Sequence, residues 1–319
     1  MELNEEKILK AGKITRETRD FAKTIVKPGV PLLEIAEKIE KKIEELGGKP
    51  AFPTNLSINE IAAHYTPSYD DKTLAHGLIK VDFGVHVDGW TSDNSISFDL
   101  DGSEENKKLI EAAEEALKNA ISLIEEKINA NNKSEVAGSS VNNPSLGWEG
   151  RNIYVNEIGK VIQNTIDKYG LTPVINLSGH SMEQYDLHAG ITVPNINDGK
   201  NVILGEGLYA IEPFATKGNG KVRDGRPSGI YQIESDKKPR SELARKTLAF
   251  IEKEYKTLPF CSRWLSKKLG SSSALALREL EANGNLHHFS QLVEVSGSKV
   301  SQAEHTIFVK KNKVIVTTL

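Results

Sequence analysis

Two aspartates eleven residues apart, Asp82 and Asp93, are the first residues in this sequence whose spacing could do chemistry. Residues 79–87 and 90–98 alternate apolar and polar side chains around Asp88-Gly89, the strongest short-range signal for a two-residue hairpin turn. With Asp88 and Gly89 as the loop, Val87 faces Trp90, Gly84 faces Asp93 and Asp82 faces Ser95. Asp82 and Asp93 then share one face as diagonal neighbours, about 7–8 Å apart at the backbone and closer at their carboxylates. Like charges so placed destabilise a sheet unless a cation sits between them. A divalent metal pair removes that penalty, and oxygen donors suit Mn, Co or Fe, or Zn with an added imidazole. On these two residues alone, an aspartate facing solvent at a hairpin rim is an equally good reading. Gly84, opposite Asp93, leaves room beside the backbone for a metal or a substrate.

Such a site needs a nitrogen donor and further carboxylates, best placed at strand ends where rigid elements hold their geometry. Three positions meet that test. His180 closes the apolar run 177–180, Glu212 interrupts an apolar run just before Pro213, and Glu304 precedes the β-like run 307–309. A carboxylate in such surroundings is costly unless it is paired or metal-bound. Taken singly, each is more often a capped or paired structural residue.

The elements that must carry these residues follow from periodicity. Ile8, Ala11, Ile14, Phe21, Ala22 and Ile25 recur near helical period, and Ile35, Ile39 and Ile43 repeat it after Lys27-Pro28-Gly29, so the first fifty residues predict two helices, the second ending at Gly47-Gly48. Helical pattern returns over 104–128 and 155–168. Between them residues 129–150, rich in Asn, Ser and Gly, predict an exposed polar loop or insertion with no assigned chemistry. The runs 177–180, 187–193 and 207–214 predict short strands. Residues 241–285 are helical and charged, and 305–309 and 313–318 close the chain as strands. This order suggests an α+β fold of two similar halves, although no sequence repeat supports the symmetry.

Composition narrows the class. With 319 residues, 38% hydrophobic and 27% charged, the chain can bury a sizeable core. A net charge of -3 offers no basic field for nucleic acid, so a direct nucleic-acid role is not expected. The charged start lacks the apolar core of a signal peptide, and no apolar run nears the roughly 20 residues that span a bilayer. The expected location is therefore cytoplasmic. Cys261, the only cysteine, excludes an internal disulfide and a cysteine-based zinc cluster, so oxygen and imidazole must hold any metal.

Seven blocks then carry a family resemblance: 51–60 (AFPTNLSINE), 63–67 (AHYTP), 81–84 (VDFG) with Asp93 following, 177–180 (LSGH), 187–190 (LHAG), 210–213 (AIEP) and 302–306 (QAEHT). In this order they resemble the signature blocks of methionine aminopeptidases. The resemblance implies a pita-bread fold with two pseudo-symmetric halves around a dinuclear centre, and a single catalytic domain over 1–319. The 91 residues between Glu212 and Glu304 leave space for an inserted helical subdomain at about 241–285, as in the type 2 branch. The block 257–265 (TLPFCSRWL) is also similar to type 2, and without an amino-terminal charged extension the chain is similar to the short archaeal form.

By the same resemblance, Asp82 chelates one of two divalent ions (Co, Mn, Fe or Zn), Asp93 and Glu304 bridge both, and His180 and Glu212 complete the second. Glu212 resembles the residue that passes a proton from water to the leaving amine. His188 looks like the imidazole that stabilises the tetrahedral intermediate, and His64 like the one that contacts the substrate backbone. The substrate's free amine is expected on a metal, with the methionine side chain in an apolar pocket of Phe52, Leu187, Phe214, Ile230 and Phe289. The implied partners are nascent polypeptide amino termini, near the ribosome, met by a monomer. Two rivals share the fold: a peptidase acting on Xaa-Pro bonds, and a catalytically dead relative that binds RNA or protein.

Overall fold

The computed structural model describes residues 3–136 and 152–319. Helix α1 (Glu5–Ile25) starts where Asn4 Oδ1 accepts from the Lys7 amide at 3.1 Å, with Glu5 and Glu6 in the first turn favouring the positive end of the helix dipole. It buries Ile8, Ala11, Ile14 and Ala22 on one side. Helix α2 (Leu32–Glu45) buries Leu32, Ile35, Ala36, Ile39 and Ile43. Both helices cover a sheet built from β1 (Lys49–Pro50), β2 (Asn55–Ile58) and the long hairpin β4 (Leu78–Val87) and β5 (Trp90–Asp99), with the short strand β3 (Ile61–Ala63) between β2 and β4 in the chain. In that sheet the order is β1-β4-β2 with β5 on β4, while β3 pairs elsewhere.

The hairpin register is the one expected: Val87↔Trp90, Gly84↔Asp93 and Asp82↔Ser95. Asp88 (φ 50°) and Gly89 (φ 83°) both take the left-handed conformation that a tight two-residue loop of this twist requires. On the other side of β4, Asn55 lies directly across from Asp82.

Helix α3 (Glu104–Val136) runs further than the sequence pattern indicated, so 129–136, expected as a polar loop, are helical. Ala, Lys and Glu are good helix formers, and a helix already nucleated upstream extends through the Asn and Ser between them at little cost. Residues 137–150 of the expected insertion lie outside the described residues. Helix α4 (Val155–Lys168) packs on α3. The chain then gives β6 (Thr172–Pro173), β7 (Ser178–Met182), β8 (Thr192–Pro194), β9 (Gly207–Ile211) and β10 (Phe214–Thr216). Of the strand expected at 187–193 only Thr192 and Val193 are paired. Leu187 to Gly190 form a return loop instead, entered through Tyr185 (φ 61°) and left through Gly190 (φ 96°).

A long strand, β11 (Val222–Ile233), was not anticipated. The helices α5 (Glu242–Glu254), α6 (Ser262–Leu269) and α7 (Ser273–Ala282), with β12 (Phe260–Cys261), fall within the expected 241–285 segment. The second unanticipated strand, β13 (Leu286–Glu294), returns to pair with β11 and with β3. Strands β14 (Val300–Gln302), β15 (His305–Lys310) and β16 (Lys313–Val316) complete the chain, giving a sheet of order β16-β15-β9-β7-β8.

Two joints hold the site-bearing elements. Between β5 and β15, the Asp93 amide donates to Thr306 Oγ1 at 2.7 Å, Thr306 Oγ1 donates to the Asp93 carbonyl at 2.8 Å, and the Glu304 amide donates to the Ser95 carbonyl at 3.0 Å. The other joint is a buried ion pair between α2 and α6. Arg263, 1% exposed, meets both oxygens of Glu40 at 2.7 and 2.8 Å and donates to the Pro67 carbonyl at 3.0 Å. Glu40 also accepts from Trp264 Nε1 at 2.9 Å and the Thr54 amide at 3.2 Å, so the segment leading into β2 is tied to the helical layer. Charges this deep persist only with such complete pairing.

Candidate metal centre

Five side chains from five stretches of chain meet where the sheets join. Asp82 sits in the middle of β4 and Asp93 near the start of β5, His180 is in β7, Glu212 follows β9, and Glu304 lies between β14 and β15. Asp93, His180 and Glu304 offer ligand atoms that all lie within 4.8 Å of one another, and all three are buried. Glu212 joins them, its Oε1 at 3.7 Å from His180 Nε2, while Asp93 Oδ2 stands 3.6 Å from the same nitrogen. Asp82 is near enough for its charge to act on Asp93, Glu212 and Glu304.

The electrostatics of this cluster are unfavourable as it stands. Burial, then repulsion from Asp82, holds the Asp93 carboxyl well above the usual carboxylate range. Burial, then the neighbouring carboxylates, does the same to Glu212 and Glu304. Asp82 is pushed up to about 7 by burial. Burial, then His188, depresses His180 to about 3, so its imidazole is neutral and supplies no compensating charge. Asp82 Oδ1, Asp93 Oδ1 and His180 Nδ1 are buried with no hydrogen-bond partner.

Beside the cluster lies a cavity of about 370 Å³. Every expected substrate residue lines it: Phe52, His64, Leu187, Phe214, Ile230 and Phe289, with His180, His188 and Glu212 in the same wall. The His188 ring stands 4.3 Å from that of His180. His64 adopts a left-handed φ of 64° and places Nδ1 3.2 Å from the Ser290 carbonyl. A carbonyl only accepts, so Nδ1 carries the proton and Nε2 is left as an acceptor. Burial lowers His64 to about 4, which keeps that neutral form at neutral pH.

The profile of metallopeptidase family M24 matches residues 6–255. A methionine aminopeptidase of Pyrococcus horikoshii is 46% identical over 98% of this chain and 99% of its own length. The chain belongs to the methionine aminopeptidases of metallopeptidase family M24. Among solved structures, a methionine aminopeptidase from Thermotoga maritima superposes with a TM-score of 0.64 at 20% identity, covering 99% of this chain and 98% of that one. A thermophilic Arx1 superposes with a TM-score of 0.78 at 14% identity, covering 99% and 91%. At those identities the two structures establish the shared pita-bread fold.

The donor set of this methionine aminopeptidase fits divalent metal on the structure's own terms. Four carboxylates and one neutral imidazole converge with orphaned donor atoms, and among the described residues His180 is the one basic group within 4 Å of the acids. Distances of 3.6 and 3.7 Å between His180 Nε2 and two carboxylate oxygens are too long for hydrogen bonds. They suit donors that share a cation at about 2.0–2.2 Å each.

Sequence reasoning missed Gln302. Its Nε2 lies 3.3 Å from Glu212 Oε2 and 3.4 Å from Glu304 Oε2. One neutral amide thus spaces two acids. A signal was available, since Gln302 precedes Glu304 by two residues, and in an extended segment that places both on one face.

Proposed function

We propose that this chain removes the amino-terminal methionine from polypeptides by metal-assisted hydrolysis. The observation that carries this reading is the buried Asp93, His180 and Glu304 triad, with donors within 4.8 Å, opening onto an apolar cavity of about 370 Å³. Asp82, Asp93, His180, Glu212 and Glu304 are the residues that would hold two divalent ions. When bound, such ions lower the pKa of water toward neutrality and offset the charge that develops on the scissile carbonyl.

The rest is the work of the chain's own residues. Phe52, Leu187, Phe214, Ile230 and Phe289 enclose a side chain the size of methionine and exclude water from it. His64 Nε2, an acceptor in the tautomer fixed by Ser290, suits a substrate backbone N–H. His188 donates to the oxygen of the tetrahedral intermediate. Glu212 takes the proton of the attacking water and returns it to the leaving amine.

Residues 1–319 act as one catalytic unit in this reading, with 241–285 as its helical insertion. Its substrates are nascent chains, met by a monomer in the cytoplasm near the ribosome. No helix among the described residues is long and apolar enough to cross a membrane. The deciding experiment compares Met-Ala-Ser with Ala-Pro-Ala in added Mn or Co. Release of methionine is expected, whereas cleavage of the proline peptide alone rejects the proposal.

A further inference from the structure

Asn55 stands directly across β2 and β4 from Asp82. Cross-strand partners rise from one face of a sheet with Cβ atoms about 4.5–5.5 Å apart, so the two side chains are immediate neighbours. Asn55 lines the cavity, whereas Asp82 is not among its lining residues. The orientation of the Asn55 amide is determined by its surroundings. Its Nδ2 lies 3.2 Å from the Pro53 carbonyl, which can only accept, so the nitrogen must face Pro53 and Oδ1 the other way. That Oδ1 is buried without a donor, and so is Oδ1 of Asp82 beside it.

Two buried acceptors side by side leave a desolvation penalty uncompensated until a donor arrives. A cation on Asp82 relieves the carboxylate. Asn55, in the cavity wall, still lacks an N–H partner. The donor that a bound amino-terminal methionine brings to this position, next to an apolar pocket for its side chain, is its α-amino group. We infer that Asn55 Oδ1 accepts a hydrogen bond from the free α-amino group of the substrate. This inference rests on the cavity being the site of an amino-terminal methionine. It makes Asn55 a determinant of exopeptidase specificity, because a peptide bound internally presents no amino group there.

The test uses the full chain loaded with Mn. Calorimetry measures L-methionine and 4-(methylthio)butanoate, the same molecule without its amine, against wild type, Asn55→Leu and Asn55→Asp. The leucine variant removes the acceptor at similar volume, and the aspartate variant retains one. For Asn55→Leu the Kd of L-methionine is expected to rise about tenfold or more, with that of 4-(methylthio)butanoate unchanged. Asn55→Asp keeps the preference for the amine. With Met-Ala-Ser, Asn55→Leu raises KM more than it lowers kcat, since the bond is present before and during reaction. Asn55→Ala carries the same expectation and replaces the leucine variant if that one does not fold. Equal weakening of both ligands, no weakening of either, or loss of amine preference in Asn55→Asp overturns the inference. Wild type that binds both ligands alike defeats the Asn55 assignment alone, whereas wild type that binds neither defeats the reading of the cavity as well.

Discussion

Replacing Asp82 by asparagine should change the sign of its effect on stability according to whether metal is present. The substitution keeps the side-chain shape and removes one of four crowded charges. In the metal-free chain burial lifts the Asp82 carboxyl from 3.8 to about 7. An acid whose folded pKa exceeds its unfolded one opposes folding once ionised: the penalty is absent below the unfolded pKa, grows as pH rises and is complete above the folded pKa. From 3.8 to about 7 is a difference of about 3, and at about 1.4 kcal/mol per pH unit the penalty reaches about 4 kcal/mol at pH 8. At pH 5 only a little over a third of that difference has accrued. Buried neutral histidines work in the opposite direction. His64, His86 and His305 sit at about 4 and His180 at about 3, all through burial, so acid destabilises wild type and variant alike. The two proteins must therefore be compared with each other at each pH, by urea unfolding followed by circular dichroism. In EDTA, Asp82→Asn should exceed wild type by about 4 kcal/mol at pH 8 and by under half of that at pH 5. Saturating Mn should invert the order, because wild type alone keeps the full ligand set. A variant no more stable than wild type at pH 8 in EDTA would refute the crowding of charge from which the metal centre is argued.

Gln302→Leu should weaken Mn binding about tenfold, the lower end of the 10–100-fold typical for residues that orient ligands, because its bonds at 3.3 and 3.4 Å are long; calorimetric titration of the metal-stripped chain decides it, and unchanged affinity removes Gln302 from the site. Glu40→Gln should cost about 3–5 kcal/mol in urea unfolding, since it leaves the Arg263 guanidinium buried without its counter-charge. Because Glu40 also holds the Thr54 amide ahead of Asn55, KM for Met-Ala-Ser should rise in the same variant, and a stability loss with KM unchanged would separate the ion pair from the pocket.

How much of this was legible in the sequence depended on what each residue costs when buried. Asp82 and Asp93 were readable because a two-residue loop fixes hairpin register, and the register puts two like charges on one face, an arrangement that demands a reason. His180, Glu212 and Glu304 stood out as ionisable groups against apolar runs. Strands β11 and β13 escaped the same reading. Gly225, Pro227 and Gly229 break the pattern of β11, where the register shifts twice, and β13 has intermediate or exposed residues between its buried ends, His287 and His288 among them. The apolar neighbourhood of Leu187 and His188 predicts a strand, yet the left-handed backbone at Tyr185 and Gly190 folds that stretch into the loop that lays both over the cavity. The two amides were the least visible. Neither Gln302 nor Asn55 carries a charge whose burial needs explaining, and Asn55 meets Asp82 only through a pairing of strands 27 residues apart. Groups that carry charge into a core therefore announce the chemistry from sequence, while the neutral groups that space and orient them emerge only when the register is known and their unpaired atoms can be counted.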